Sequence, residues 1–335
     1  MAIKRNKVVV VGAGAVGSAV AFNLVVQGIC DDLVLIDINR DKAWAEATDL
    51  QHSLAYSNRN MNVRDGDYAA CGDADIVVIA AALPFVKGQT RLDLTEKAAG
   101  IMRSIIGPVM QSGFQGIFIV ITNPVDVMAY YVYKLSGLPA RRVIGTGTAL
   151  DSARLKYYIA AVMKVDPRSV QALCLGEHGD SQVIPWSLVT VGGKNFLDIL
   201  EDNRDRLQGI AIDQIAHNTS YISYKVMNAK GATTFGIAAT TVEIIKAVLN
   251  DENKVIPVST MLQGEYGENG VYVGVPAVLN GDGVKELMEC RLSQREMAEF
   301  KQSVALIKEY QAKLGEPEDF GNAVHDPSVP TRNAG

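Results

Sequence analysis

A histidine, a carboxylate and a guanidinium carry the first chemical signal in this chain. His178 lies in LGEHGDS at residues 175–181, a polar, glycine-flanked loop after a strand-like segment, and Asp151 and Arg154 lie in TALDSAR at residues 148–154. An imidazole exchanges a proton near neutral pH, and a neighbouring carboxylate favours its protonated form. Asp151 stands 27 residues upstream of His178 at the start of a helix, where it either caps the backbone or orients the imidazole. Arg154, three residues on, shares that helix face, so both side chains can address one site. Its planar fork suits either an ordinary salt bridge or a bidentate grip on a substrate carboxylate. The other three of the four histidines are weaker candidates: His325 falls near the C-terminus, His217 on an expected surface helix, and His52 in DLQHS reads as a packed helix histidine.

A second signal precedes it. VVVVGAGAVG at residues 8–17 places Gly12, Gly14 and Gly17 between a strand and a helix. Glycines there let backbone amides approach a pyrophosphate whose charge the helix N-terminus favours. A bare glycine pattern is also a common structural turn. Asp37, 20 residues past Gly17 at the end of the next apolar strand, is placed to accept hydrogen bonds from both ribose hydroxyls and to repel a 2′-phosphate. NAD is therefore expected, with Arg40 leaving NADP as the alternative. Cradle, carboxylate clamp and acid–base pair together read as hydride transfer.

The elements that must position these residues fall into two halves. Val8 to Val11 is an unbroken β-branched run, as in a parallel strand buried on both faces. A helix follows from Ala15 to Gln27 and stops at Gly28; further strands read at Leu33–Ile36, Ile76–Ala80 and Ile117–Ile121 with helices between. This is a doubly wound α/β unit, and ligands in such sheets sit beyond the C-terminal strand ends. After Val143 the texture changes: a helix reads over 151–163, a strand over 170–175, a long helix over 207–229 ended by Gly231, antiparallel hairpins over 255–279, and a closing amphipathic helix through Met297, Phe300, Val304, Ile307 and Leu314. The expected division is a Rossmann domain over 1–146, a mixed α+β substrate domain over 147–316 and a loosely held tail over 317–335.

Composition agrees. The chain has 335 residues, 48% of them hydrophobic, so it can bury two substantial cores. A net charge of −5 argues against a nucleic-acid or anionic-membrane surface. No apolar run approaches the roughly 20 residues that span a bilayer, and the run after MAIKRNK enters a glycine turn instead of a cleavage site. Cys30, Cys71, Cys174 and Cys290 show no CxxC spacing, which offers no metal site and suits small buried thiols in a reducing cytoplasm.

With these residues in place, the chain resembles the L-lactate/malate dehydrogenase family from about Lys7 to Leu314. The dinucleotide turn matches Gly12, Gly14 and Gly17, the ribose-binding acid Asp37, the strand end Asn123-Pro124-Val125-Asp126, the helix Leu150 to Arg154 and the loop Gly176 to Asp180. The resemblance implies an NAD-dependent L-2-hydroxy-acid dehydrogenase that is a homodimer or homotetramer. It implies that His178 donates a proton to the keto oxygen, Asp151 holds its tautomer, Arg154 binds the substrate carboxylate and Asn123 hydrogen-bonds the reacting oxygen. LPFVKGQTRLDL, residues 83–94, resembles the family's mobile loop, whose closure brings Arg91 against the carbonyl. Thr233 corresponds to a residue beside the substrate and Ile237 to one behind the nicotinamide. The implied cofactor set is Gly12, Gly14, Ala15, Val16, Gly17, Asp37, Ala81, Asn123 and Ile237.

Two positions depart from the family pattern. The loop residue six before the carbonyl-polarising arginine selects substrate, commonly Gln in lactate enzymes and Arg in malate enzymes; here it is Phe85. An aromatic ring cannot neutralise a second carboxylate, which disfavours malate and leaves L-lactate first, with larger apolar or aromatic hydroxy acids such as 2-hydroxyisocaproate as the alternative. Secondly, the Arg and His that bind fructose 1,6-bisphosphate in bacterial lactate enzymes correspond to Lys156 and Gln171, so strong activation is not expected. An NAD-requiring glycosidase would want Cys before Asn123, where Thr122 stands, and a non-catalytic dinucleotide binder predicts a broken proton relay.

Overall fold

A computed structural model describes residues 5–82, 91–205, 207, 209 and 211–315, with only the backbone of 91–94. Phe85 and the side chain of Arg91 lie outside the described residues, as do His325 and the tail over 317–335.

Six strands form the parallel part of the large sheet: β1 (Lys7–Val11), β2 (Asp32–Ile36), β3 (Asn62–Asp65), β4 (Ile76–Ile79), β5 (Ile117–Val120) and β6 (Val143–Gly145). Their order is β3-β2-β1-β4-β5-β6, so the winding reverses between β1 and β4. Alternate residues serve opposite faces, as the pleat requires. Val8, Val10, Leu33, Leu35, Ile76 and Val78 pack with α1 (Ala15–Gln27) and α2 (Arg40–Ser53) on one side. Val9, Val11, Val34, Val77, Ile79 and Phe118 pack with α3 (Arg91–Gln111) and α4 (Val125–Ser136) on the other. Gly28 ends α1 in the left-handed conformation, φ 62°, and its N–H returns to the helix carbonyls.

The second half opens with α5 (Ala149–Met163) and a three-stranded sheet of β7 (Val170–Gln171), β8 (Thr190–Val191) and β9 (Lys194–Asn195). Helices α6 (Phe196–Asp202), α7 (Ile212–Lys230) and α8 (Phe235–Leu249) follow, then β10 (Lys254–Gln263), β11 (Asn269–Asn280), β12 (Gly283–Leu287) and α9 (Gln294–Leu314). The expected hairpin is present as β10–β11. It does not stand apart, because Ser259 of β10 pairs antiparallel with Gly145 of β6, which extends the first sheet to nine strands. A separate core lies between α5, α6, α7 and the small sheet, around Leu155, Ile159, Val170, Phe196 and Ile215.

Three local expectations need correction. The strand over 170–175 pairs as a ladder only at Val170–Gln171, because the backbone of Cys174 is taken by helix side chains: its N–H donates to Ser152 Oγ and its carbonyl accepts from Thr148 Oγ1. The helix over 207–229 begins only at Ile212, since Gly209 sits at φ 86° and Ala211 is extended. His52 is exposed on α2 and not packed. Among the described residues, no single helix is long and apolar enough to cross a membrane.

Candidate active site

The strand ends β1, β4 and β5 converge at the reversal of the sheet. At Gly12, φ 102°, a side-chain carbon would stand 2.6 Å from the backbone nitrogen of Ala81, and at Gly17 one would stand 1.8 Å from the carbonyl oxygen of Gly12. Both glycines are therefore required for strand, turn and helix to close on one another. Gly14 differs: a carbon added there meets nothing within 4 Å, and as the N-cap of α1 it offers no side chain to the helix amides. The open space beside Gly14, at the N-terminus of α1, fits an approaching pyrophosphate. Asp37 closes the cradle from the end of β2, its carboxylate accepting from the backbone N–H of Ala13 at 2.8 Å and of Asn39 at 2.9 Å. Thr122 Oγ1 donates to the carbonyl of Ala81 at 2.8 Å, which ties the β5 end to the β4 end. Asn123 follows, exposed and joined to Pro124 by a cis peptide.

The acid–base pair is assembled by α5 and the loop after Leu175. Thr148, fully buried, is the N-cap of α5, so Asp151 lies in the first turn and not at the cap. Its side chain is 4% exposed, and its two oxygens divide their work. Oδ2 meets His178 Nδ1 at 2.6 Å, and Oδ1 accepts from Arg154 Nη1 at 2.9 Å. Burial raises the pKa of such a carboxyl, but His178 and Arg154 outweigh it and hold Asp151 below the usual carboxylate range. Conversely, burial pulls the imidazole down while Asp151, then Asp126, push it up, and the net direction is upward. Because a carboxylate only accepts, Nδ1 carries the hydrogen and Nε2 is left for proton transfer. The His178 side chain keeps 23% exposure, enough for access from one side.

Four elements hold that loop. Gly176 and Gly274 of β11 exchange backbone hydrogen bonds at 2.9 Å. The N–H of Glu177 donates to Ser303 Oγ of α9 at 2.8 Å. The N–H of His178 donates to Asp126 Oδ2 at 2.8 Å, and Ser259 Oγ donates to Asp126 Oδ1 at 2.6 Å. Sequence reasoning assigned none of these supports. The signals were faint: Ser259 interrupts the apolar strand VIPVSTML, and Ser303 sits next to Val304 on the apolar face of α9.

Thr233 is half-buried just before α8, and Ile237, buried, lies in its first turn. Helix α8 packs along α1 and against α5, with Gly236 facing Leu150, so these residues flank both the cradle and the acid–base helix.

Residues 6–145 match the NAD binding domain of lactate/malate dehydrogenase, and residues 148–316 match its alpha/beta C-terminal domain. The chain belongs to the lactate/malate dehydrogenase family. It is 45% identical over 315 residues to L-lactate dehydrogenase 3 of Bacillus cereus, covering 93% of this chain and 100% of that one. It is 47% identical over 309 residues to L-lactate dehydrogenase 2 of Bacillus cereus, covering 92% and 98%. The ligand-bound crystal structure of the minor L-lactate dehydrogenase of Enterococcus mundtii superposes with a TM-score of 0.90 at 43% identity over 93% of this chain and 99% of that one. A lactate dehydrogenase from a deep-sea metagenome library gives 0.88 at 41% identity over 93% and 99%. Within this family fold, the nucleotide cradle belongs to the matched NAD binding domain, whereas His178, Asp151 and Arg154 come from the matched C-terminal domain.

Proposed function

We propose that the chain is an NAD-dependent L-lactate dehydrogenase that interconverts pyruvate and L-lactate. The observation that carries the reading is the carboxylate of Asp151, which grips His178 with one oxygen and Arg154 with the other beside a glycine cradle open for a dinucleotide. Relatives named L-lactate dehydrogenase at 45–47% identity support the same substrate.

In the reduction direction, the cradle of Gly12, Gly14, Gly17 and Asp37 would hold NADH, whose chemistry there would be hydride supply to the keto carbon. His178 gives its Nε2 proton to the keto oxygen, and Asp151 stabilises the imidazolium before transfer and fixes the tautomer after it. Arg154 retains guanidinium N–H groups beyond the one spent on Asp151, and these bind the substrate carboxylate. Asn123, at the β5 end, donates to the reacting oxygen. Arg91, at the start of α3, polarises the carbonyl as charge develops. Phe85 is assigned the selection of the substrate side chain, Thr233 a place beside the substrate, and Ile237 one behind the nicotinamide. Ala15, Val16 and Ala81 complete the cofactor cradle with Gly12, Gly14, Gly17 and Asp37.

A division near residue 146 leaves the glycine cradle and Asp37 on one side and His178, Asp151 and Arg154 on the other. An oligomer, homodimer or homotetramer, accounts for large apolar side chains left half-exposed or more on α1 and α2, Phe22 at 53% and Trp44 at 59%; sedimentation velocity measures it. The four unbridged cysteines suit the cytoplasm. The deciding assay is NADH oxidation with pyruvate, oxaloacetate, 2-oxoisocaproate and phenylpyruvate. Pyruvate should give the highest kcat/KM, and faster turnover of 2-oxoisocaproate or phenylpyruvate would reassign the enzyme to larger hydroxy acids.

A further inference from the structure

The carboxylate of Asp126 is 2% exposed at the first turn of α4, three residues after Asn123, and both of its oxygens are engaged. Oδ1 accepts from Ser259 Oγ of β10, a side chain with no exposure, at 2.6 Å. Oδ2 accepts from the backbone N–H of His178 at 2.8 Å. This acid takes no direct part in the proposed binding or proton transfer. Burying a carboxylate for two neutral donors is costly unless the contacts do something an apolar residue could not.

We propose that Asp126 is a positioning residue for His178: its carboxylate fastens the backbone of the proton donor to the start of α4 and to β10, so that His178, Asn123 and the sheet keep one geometry. Three parts of the chain meet at this acid. The β5 end brings Asn123, β10 brings Ser259, and the loop after Leu175 brings His178, each from a different region of the sequence. Ser303 and Gly274 hold the neighbouring amides of the same loop, but only Asp126 holds the amide of His178 itself. A shift of this loop by a fraction of an ångström would displace Nε2 from the keto oxygen, and misplacement on that scale costs rate steeply.

The charge adds a second effect. The groups facing Asp126 are His178 and Glu177 from the loop, and those facing His178 are Asp151 and Arg154 from α5 as well as Asp126. Burial pushes the Asp126 carboxyl up to about 6, against the Ser259 hydroxyl and the His178 amide, which pull it down. Its ionised form in turn favours the imidazolium of His178. An asparagine separates the two effects, since its carbonyl oxygen can accept from the His178 amide and its NH2 can donate to Ser259 Oγ. Both contacts survive and the charge does not.

This inference rests on His178 as the proton donor, so the experiment carries His178→Asn as a control alongside Asp126→Ala, Asp126→Asn and Ser259→Ala. Pyruvate kcat and KM, NADH affinity by fluorescence, and the titration of the four histidines by NMR of the labelled full-length protein are measured for each. Asp126→Ala should lower kcat on the order of 10- to 100-fold with NADH affinity retained. Asp126→Asn should recover most of that loss while its His178 resonance titrates at lower pH than in the wild type. Should Asp126→Ala fail to fold, Ser259→Ala, which removes one of the two contacts, should still lower kcat severalfold with NADH affinity retained. Wild-type kcat in Asp126→Ala, or in Ser259→Ala where the alanine at 126 does not fold, overturns the proposal, as does an asparagine variant no better than the alanine. An active His178→Asn would instead overturn the assignment of the proton donor, a distinguishable failure.

Discussion

His178 and Asp151 are separated by 27 residues in the chain and by 2.6 Å between Nδ1 and Oδ2. The contact is almost closed to solvent on the Asp151 side and open on the imidazole side, with 4% and 23% exposure. A buried anion next to a reachable imidazole stabilises the imidazolium without neutralising it, because Asp151 shares its charge with Arg154 through its other oxygen.

Proton transfer should therefore depend on both residues, in different ways. His178→Asn should reduce pyruvate kcat on the order of 100-fold or more with NADH binding nearly intact, and stopped-flow or steady-state kinetics would reveal an unimpaired enzyme at once. The His178 pKa is raised in the folded protein, so the protonated form that pyruvate reduction needs is present below that pKa and is lost as pH rises through it. Asp151→Asn removes the foremost group raising it. The alkaline limb of kcat/KM for pyruvate should move toward acid, and a limb that stays in place would show that another group sets the profile.

Cofactor preference should follow Asp37. Its carboxylate stands at the end of β2, held by the amides of Ala13 and Asn39, where a 2′-phosphate would bring a second anion. NADH should be preferred over NADPH by at least about tenfold in kcat/KM. Equal values would mean that Arg40 or a neighbour compensates the phosphate.

Substrate preference should follow Phe85. Closing an aromatic ring over a second, unpaired carboxylate costs several kcal/mol in order of magnitude, so oxaloacetate should be a poor substrate beside 2-oxo acids with apolar side chains. Phe85→Arg should raise kcat/KM for oxaloacetate and lower it for 2-oxoisocaproate, moving their ratio by roughly 10² or more. Both proteins are compared in one buffer. An unmoved ratio would place Phe85 away from the substrate.

Activation by fructose 1,6-bisphosphate should be weak. Lys156 on α5 is partly buried, and that burial lowers its pKa, while Gln171 on β7 is exposed and uncharged. Coupling requires a ligand that binds two states differently, and one cation with one amide offers little grip on two phosphates. Millimolar sugar phosphate should leave the apparent pyruvate KM nearly unchanged. A sigmoidal pyruvate curve that turned hyperbolic on its addition would contradict this.

Local patterns in the sequence determined the cradle and the chemical set. A β-branched strand, a glycine turn and a helix follow one another within about 20 residues at Val8–Gln27, where chain connectivity alone brings glycines and helix N-terminus together. Asp151 and Arg154 are likewise local, one helical turn apart. What only the tertiary structure decided was which distant groups close around His178. Asp126, Ser303 and Gly274 reach the same loop from 52 residues away or more. Those contacts form because β10 and β11 join the parallel sheet and α9 folds back over it. The strand over 170–175 is shorter than its pattern implies for the same reason, since its amides and carbonyls have two acceptable kinds of partner. Side chains of α5 and its N-cap, placed by packing, take the bonds at Cys174 that a neighbouring strand would otherwise make.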